Sequence, residues 1–428
     1  MQLFRGSILH CLQDPGDSLH SHDAPYFEDG GLLVANGRVQ AVGLFSDLQP
    51  SLAEDVKIID YSGKLIVPGF VDTHIHFVQT DIIASYGEQL LSWLEKYTYP
   101  VERAFADSKH AAVVAEFFIE ELLRNGTTTA LVLGSVHPQS VDAIFSAAQR
   151  KNMRLIAGKV LMDRNCPVYL RDTAEIGYSE SRELIERWHN EARLSYAITP
   201  RFALTSSPQQ LQRSADLAVE YPDVYIHTHL AENETEVAEV AKLFPESRSY
   251  LDVYDRYGLL RDRSMYAHSI HLDADDWKRL AKTGASVAFC PSCNLFIGSG
   301  LFDLKTAWEY GIRVGLGTDV GGGPTFNMLQ VLSDAYKVTQ LNSFSLSPFR
   351  ALYLATLAGA KALCIDDRIG NFVTGKEADF VVLDPAVTPL LQRRTALADN
   401  IADKLFALIM LGDDRAVSAT HIMGNRVA

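Results

Sequence analysis

Eight short apolar segments, each followed by a stretch of helical period, run through the middle of this chain, and few architectures absorb such an alternation. The strand-like segments are Val71–His76, Thr127–Leu133, Arg154–Leu161, Leu194–Thr199, Tyr225–His229, Met265–His268, Ser286–Phe289 and Arg313–Gly317. Between them, Val114, Phe118 and Leu122 recur every four residues until Asn125-Gly126 supplies a stop. Ser207-Pro208 offers an N-cap followed by proline at the first helical position. Glu180–Arg193 and Ala274–Lys282 repeat the helical pattern. Eight strands with helices between them predict an α/β fold, a (β/α)8 barrel of the TIM type.

The two ends have a different texture. Leu32 to Val42 holds two apolar runs around Asn36-Gly37, a strong hairpin signal. Gly375 to Asp384 carries a short β-branched strand, and His421 to Val427 reads as another strand and turn. The termini are therefore expected to build one small β-sandwich domain together. Residues 1–66 form its first part, 67–376 the barrel, and 377–428 its second part. A chain of 428 residues has room for both.

Charge and cysteine usage narrow the function class. The formal charge is -14 with no basic run to offset it, which argues against a nucleic-acid backbone as partner. The cysteines are Cys11, Cys166, Cys290, Cys293 and Cys364, an odd and sparse set that points to a reducing compartment. Met1 to Cys11 has one Arg and no long apolar stretch, so no signal peptide is read there. No apolar run approaches the ~20 residues of a membrane span. A soluble, cytoplasmic protein is expected, with neither membrane nor nucleic acid as partner.

Barrel enzymes carry their reactive groups at the C-terminal ends of strands. The first strand here ends in His74-Ile75-His76, the fifth in His229 and the sixth in His268, and Asp319 follows the eighth. Four of eight strand ends thus bear His or Asp, in a chain with only 13 His. Alternation along a strand puts His74 and His76 on one face. With His229 and Asp319 they suit a divalent first-row metal, zinc foremost, although a buried hydrogen-bonded histidine pair is the bland alternative. His227 makes a second His-x-His with His229 and reads as a core or supporting residue, while His271 reads as a polar loop residue. Cys290 and Cys293 lack the partner pair a zinc site needs, so they are expected to be structural thiols. The glycines from Gly317 to Gly323 fit no phosphate-loop pattern; they are expected to let the backbone pass close to a ligand beside Asp319.

Pro68 to His76 (Pro-Gly-Phe-Val-Asp-Thr-His-Ile-His) resembles the opening motif of the amidohydrolase superfamily, and His229, His268 and Asp319 match its later positions. The resemblance covers essentially the whole chain. It implies a metal held by His74, His76, His229 and Asp319, with His268 contacting the metal's water or the substrate. Narrower features resemble the guanine deaminases of that superfamily. Gln79 and the Pro200-Arg201-Phe202 run match their substrate-binding residues, Leu91 to Pro100 matches their first helix, and His229-Leu-Ala-Glu232 matches their His-x-x-Glu proton shuttle. Cys293 departs from the pattern, where a serine is usual.

That resemblance implies hydrolytic deamination of guanine to xanthine and ammonia by a metal-activated hydroxide, in purine catabolism or salvage. Catalysis would fall to Glu232, His268 and Asp319, and substrate binding to Gln79, Arg201 and Phe202. One zinc per chain is implied, with Fe2+ also accepted by such ligands, and a homodimer. The alternatives are deamination of a related base (8-oxoguanine, an aminotriazine, a pterin or an adenosine-type base), a binuclear cyclic amidohydrolase, and a scaffold that has lost its metal. The binuclear reading would use Lys159, on the third strand, as a carbamylated bridge; Glu232 and Arg201-Phe202 favour the mononuclear deaminase. The scaffold is disfavoured because every ligand position is filled.

Overall fold

The computed structural model describes residues 1–51, 53 and 56–428. In chain order its strands are β1 Gln2–Leu9, β2 Tyr26–Ala35, β3 Arg38–Leu44, β4 Lys57–Pro68, β5 Phe70–His76, β6 Thr127–Leu133, β7 Arg154–Gly158 and β8 Val160–Leu161. They continue with β9 Leu194–Pro200, β10 Tyr225–Leu230, β11 Ser264–His268, β12 Ser286–Phe289, β13 Arg313–Leu316, β14 Phe380–Leu383, β15 Val417–Ile422 and β16 Asn425–Arg426.

One seven-stranded sheet, in the order β16-β15-β14-β4-β1-β2-β3, is drawn from both ends of the chain. Its pairs are antiparallel except β1 with β4. Phe4, Ile8, Leu32, Ile66, Phe380 and Val382 make a buried cluster on it. Asn36 and Gly37 join β2 to β3 with φ of 52° and 74°. Positive φ at both central residues is the two-residue turn whose twist matches a hairpin, and it explains the Asn-Gly pair.

The second sheet runs β13-β12-β11-β10-β9-β7-β6-β5, with β8 paired to β9. It nearly closes into an eight-stranded parallel barrel. Thr73 Oγ1 donates to the Leu316 carbonyl (2.8 Å), and the Asp319 and His76 amides donate to the His74 and Val320 carbonyls (2.9 Å each). These bonds tie the end of β5 to the segment after β13. The third strand, expected to be continuous, is broken at Lys159, whose amide bonds the Tyr196 side-chain hydroxyl on β9 (3.2 Å) instead of a main-chain carbonyl.

Helix starts follow the capping rules. Ser207 accepts from the Gln210 amide (3.1 Å) and Pro208 opens the helix behind it. The helix expected from Glu180 begins earlier, at Ala174, because Thr173 caps it through the Ile176 amide. Among the described residues no helix is long and apolar enough to cross a membrane. The chain divides into two compact units, Met1–Asp72 with Glu120–Thr129 and Phe326–Ala428, and Thr73–Ile119 with Ala130–Thr325. Every residue of the candidate site lies in the second.

Candidate active site

His74 and His76 leave β5 on the same face, and His229, His268 and Asp319 arrive from β10, β11 and the turn after β13. His268 and Asp319 hold left-handed backbone angles, φ 69° and 50°. Non-glycine residues in that region carry roughly 1–3 kcal/mol of strain each, and such strain clusters at functional sites. The ring nitrogens converge. His74 Nε2 and His76 Nε2 lie 3.2 and 3.4 Å from Asp319 Oδ1, and His76 Nε2 faces His229 Nε2 at 3.2 Å. His268 Nε2 is 3.6 Å from Asp319 Oδ2.

These separations test whether a metal fits. Four ligand atoms about 2.1 Å from one ion stand about 3.4 Å apart in a tetrahedral array. Tautomers agree with that. His229 Nδ1 donates to the Arg201 carbonyl (2.7 Å), so its Nε2 carries a lone pair toward His76. Two imidazole nitrogens brought face to face in this way are placed to accept a cation between them. His74 Nδ1 is joined to His227 Nε2 (2.6 Å), and His268 Nδ1 donates to Asn294 Oδ1 (2.9 Å). Such outer partners fix ring orientation. Burial, then the neighbouring His74 and His76, hold His229 well below the usual imidazole range, so it is a neutral donor. Burial would raise Asp319, but His74, His76 and His268 outweigh it and hold the carboxylate well below its ordinary range.

A cavity opens on this cluster, lined by His76, Gln79, Trp93, Arg201, Phe202, Glu232 and Asp319 among others. All three residues read as substrate-binding line it, and Arg201 and Phe202 reach it together because β9 ends at Pro200. Glu232 is 3% exposed, accepts from Ser299 Oγ (2.9 Å) and lies 3.5 Å from His268 Nε2. Its backbone amide donates to Glu236 Oε2 (2.9 Å), the carboxylate that also closes the capping box of the helix Glu234–Leu243 on the Asn233 amide. Burial, then the Asp319 carboxylate, pushes Glu232 up to about 8. A cation in the cluster acts in the opposite sense. A carboxyl tuned toward neutrality suits a proton shuttle.

The helical run after β5 supplies the far wall. It begins as the helix Leu90–Trp93, widens into a π-helical turn over Leu94–Thr98, and resumes over Tyr99–Glu102. Pro100 has no N–H and would crowd the carbonyl four residues earlier, which accounts for a widened turn there. Glu102 ends this run wholly buried. Arg201 Nη1 donates to both Glu102 oxygens at 2.9 Å, and Gln79 Nε2 donates to Glu102 Oε1 at 3.1 Å.

Comparison with known proteins agrees with this geometry. The model of the amidohydrolase family matches residues 65–427. The chain is 55% identical to the guanine deaminase of Escherichia coli over 402 residues, 94% of this chain and 92% of that one. The chain belongs to the amidohydrolase family, in its guanine deaminase branch. Family members are metal-dependent hydrolases, and the buried His74, His229, His268 and Asp319 bring ligand atoms close enough together to hold a metal ion. The structure of E. coli guanine deaminase superposes with a TM-score of 0.97 at 52% identity, covering 100% of this chain and 99% of that one. A guanine deaminase from C. acetobutylicum with guanine bound in its active site gives 0.89 at 26% identity, with each chain fully covered.

Some residues singled out in the sequence do not line the cavity, although Cys293 lies against Asp319, Glu232 and His268. Lys159 is fully buried, and its amine donates to the Val136 carbonyl (2.6 Å), to Asp172 and to Glu180 (3.1 Å). An amine occupied by two carboxylates and a carbonyl is not placed to bridge metals. His227 supports His74 from behind. Burial, then Asp319 and Glu232, pushes the Cys293 thiol well above its usual range, as befits a packed thiol. His271 bonds the Ser299 carbonyl (3.1 Å) in a loop.

The glycine run after β13 packs tightly against the chain itself. A Cβ on Gly323 would lie 1.8 Å from the Thr318 carbonyl oxygen. Gly323→Ala should therefore lower stability by about 1–3 kcal/mol or more, measured as a lower Tm and weaker metal retention. Gly43→Ala, with nothing within 4 Å of the new Cβ, is the control and should leave both unchanged.

Proposed function

We infer that this chain deaminates guanine hydrolytically, giving xanthine and ammonia. The observation that carries the reading is one buried cavity holding the Arg201 guanidinium, the Gln79 amide and Glu232 beside the His/Asp cluster. An oxo-purine offers a ring carbonyl to a guanidinium, and its ring edge to an amide. Adenine has no carbonyl to give Arg201.

His74, His76, His229 and Asp319 hold one divalent ion per chain, zinc by the chemistry of three imidazoles and a carboxylate, with ferrous iron accepted by the same donors. When bound, the ion supplies the Lewis acidity that brings the pKa of water toward ~7. Asp319 takes up the proton released as water attacks C2, and His268 Nε2 orients the attacking oxygen. Glu232 gives a proton to the neighbouring N3, takes up the remaining hydroxyl proton as the C2 carbonyl forms, and delivers it to the departing amine. The proton held by Asp319 then restores Glu232, the same use of a non-ligand glutamate as in other zinc deaminases. Phe202 stacks on the ring, and Arg201 donates to O6. A cytoplasmic site of action is proposed from the sparse cysteine usage, and a homodimer from the family resemblance, to be checked by light scattering.

The chain purified without chelator should release ammonia from guanine far faster than from 8-oxoguanine, adenine, cytosine or an aminotriazine. Ammonia chiefly from another base would overturn the substrate reading, and none from any base would overturn the reaction. Arg201→Ala should raise KM for guanine by about 10- to 150-fold, the worth of a charged hydrogen bond. Metal content should not change, because the carbonyl that orients His229 remains. An unaltered KM would remove Arg201 from the binding site.

A further inference from the structure

Glu102 lies outside the residues that resemblance marks, yet its carboxylate receives two of the three side chains that face the substrate. Oε1 is shared by Arg201 Nη1 and Gln79 Nε2, and Oε2 takes a second bond from Arg201. Gln79 is thereby turned: its nitrogen faces Glu102 and its oxygen accepts the Gly321 amide (3.3 Å). Arg201 is 2% exposed and Glu102 fully buried, so no solvent screens the charge between them. The Tyr99 ring covers the guanidinium from another side, 5.6 Å from its centroid.

We propose that Glu102 is a positioning residue that also sets the charge of ligand this pocket accepts. The inference rests on the oxo-purine reading above. Pairing with Glu102 cancels the Arg201 charge while leaving its remaining N–H groups to meet a carbonyl. The substrate end of the cavity is then polar but carries no net charge. It receives a neutral oxo-purine and gains nothing from an anionic one. This matters for turnover, because xanthine is a stronger N–H acid than guanine. A bare guanidinium would hold the product's anion; a neutralised one releases it.

The test uses the metal-loaded enzyme and Glu102→Gln at one near-neutral pH. Hypoxanthine serves as the neutral oxo-purine and urate as the anionic one, and calorimetry reads both affinities without needing turnover. Wild type should prefer hypoxanthine, and the ratio of urate to hypoxanthine affinity should rise by about tenfold or more in Glu102→Gln, the size expected when a buried charge loses its partner. The same variant should raise KM for guanine by about 10- to 100-fold, the cost of a misplaced binding group, with kcat much less affected and xanthine inhibition stronger. Glu102→Asp should keep the wild-type charge preference. An unchanged affinity ratio in Glu102→Gln overturns the proposal, as does a Glu102→Asp enzyme that prefers urate. If Glu102→Gln does not fold, the double variant with Arg201→Gln removes both charges and should return to the wild-type ratio, whereas Arg201→Gln alone, leaving an unpaired carboxylate, should reject urate more strongly. Equal ratios in those two variants would also overturn it. A wild type that binds both ligands but leaves guanine intact would overturn the proposed function and leave the Glu102 result standing.

Discussion

Glu232→Gln is expected to keep its metal and lower kcat on guanine by about 100- to 10,000-fold, the range that a positioned acid/base contributes. Gln has the same shape, stays buried, and its carbonyl can still accept from Ser299 Oγ. It cannot hold a proton and hand it on. None of His74, His76, His229 or Asp319 is altered, so metal content by elemental analysis should match wild type. A Gln variant turning over at close to the normal rate would remove Glu232 from the proton path.

The second large effect is His229→Ala. Its Nε2 is one of the two imidazole nitrogens facing each other 3.2 Å apart, and truncation leaves His76 without that counterpart. Loss of a direct ligand should weaken metal binding by more than the roughly 10- to 100-fold that loss of an outer partner costs. The transition-state stabilisation lost with the ion is several kcal/mol, about 1,000-fold or more in rate. The fold should survive, because the Arg201 carbonyl still receives the backbone amide of residue 229 (3.2 Å) and the Thr228 hydroxyl (3.2 Å). Added zinc should restore chelator-treated wild type and fail to restore the variant. One tightly held ion per chain in His229→Ala would refute the ligand assignment.

Much of this was legible because the physics is local. Period-two and period-3.6 patterns mark strands and helices, and the matching strand ends placed His74, His76, His229, His268 and Asp319 near one mouth before any coordinates. Asn36-Gly37 and Ser207-Pro208 encode a turn and a cap within two residues. What was not legible depends on distant pairing. Glu102 is one of 53 acidic residues, 23 positions beyond Gln79 and 99 before Arg201, and nothing in its neighbourhood announces a partner. Ser299 lies between two glycines and reads as loop, and its bond to Glu232 spans 67 positions. Lys159 was ambiguous for the same reason: the strand-like segment around it was readable, but neither the break at Lys159 nor Asp172 and Glu180 around its amine was.

One residue does two jobs through two different parts of itself. Arg201 meets the substrate cavity with its side chain, while its main-chain carbonyl holds His229 in the tautomer a metal requires. The first function changes with every amino-acid replacement at this position; the second belongs to the peptide bond and survives nearly all of them. Selection can therefore retune what enters this pocket at position 201 without dismantling the ion-binding centre beside it. A barrel wired in this way permits new substrates to be sampled at constant chemistry, which is a route by which one metal centre can come to serve many ring systems.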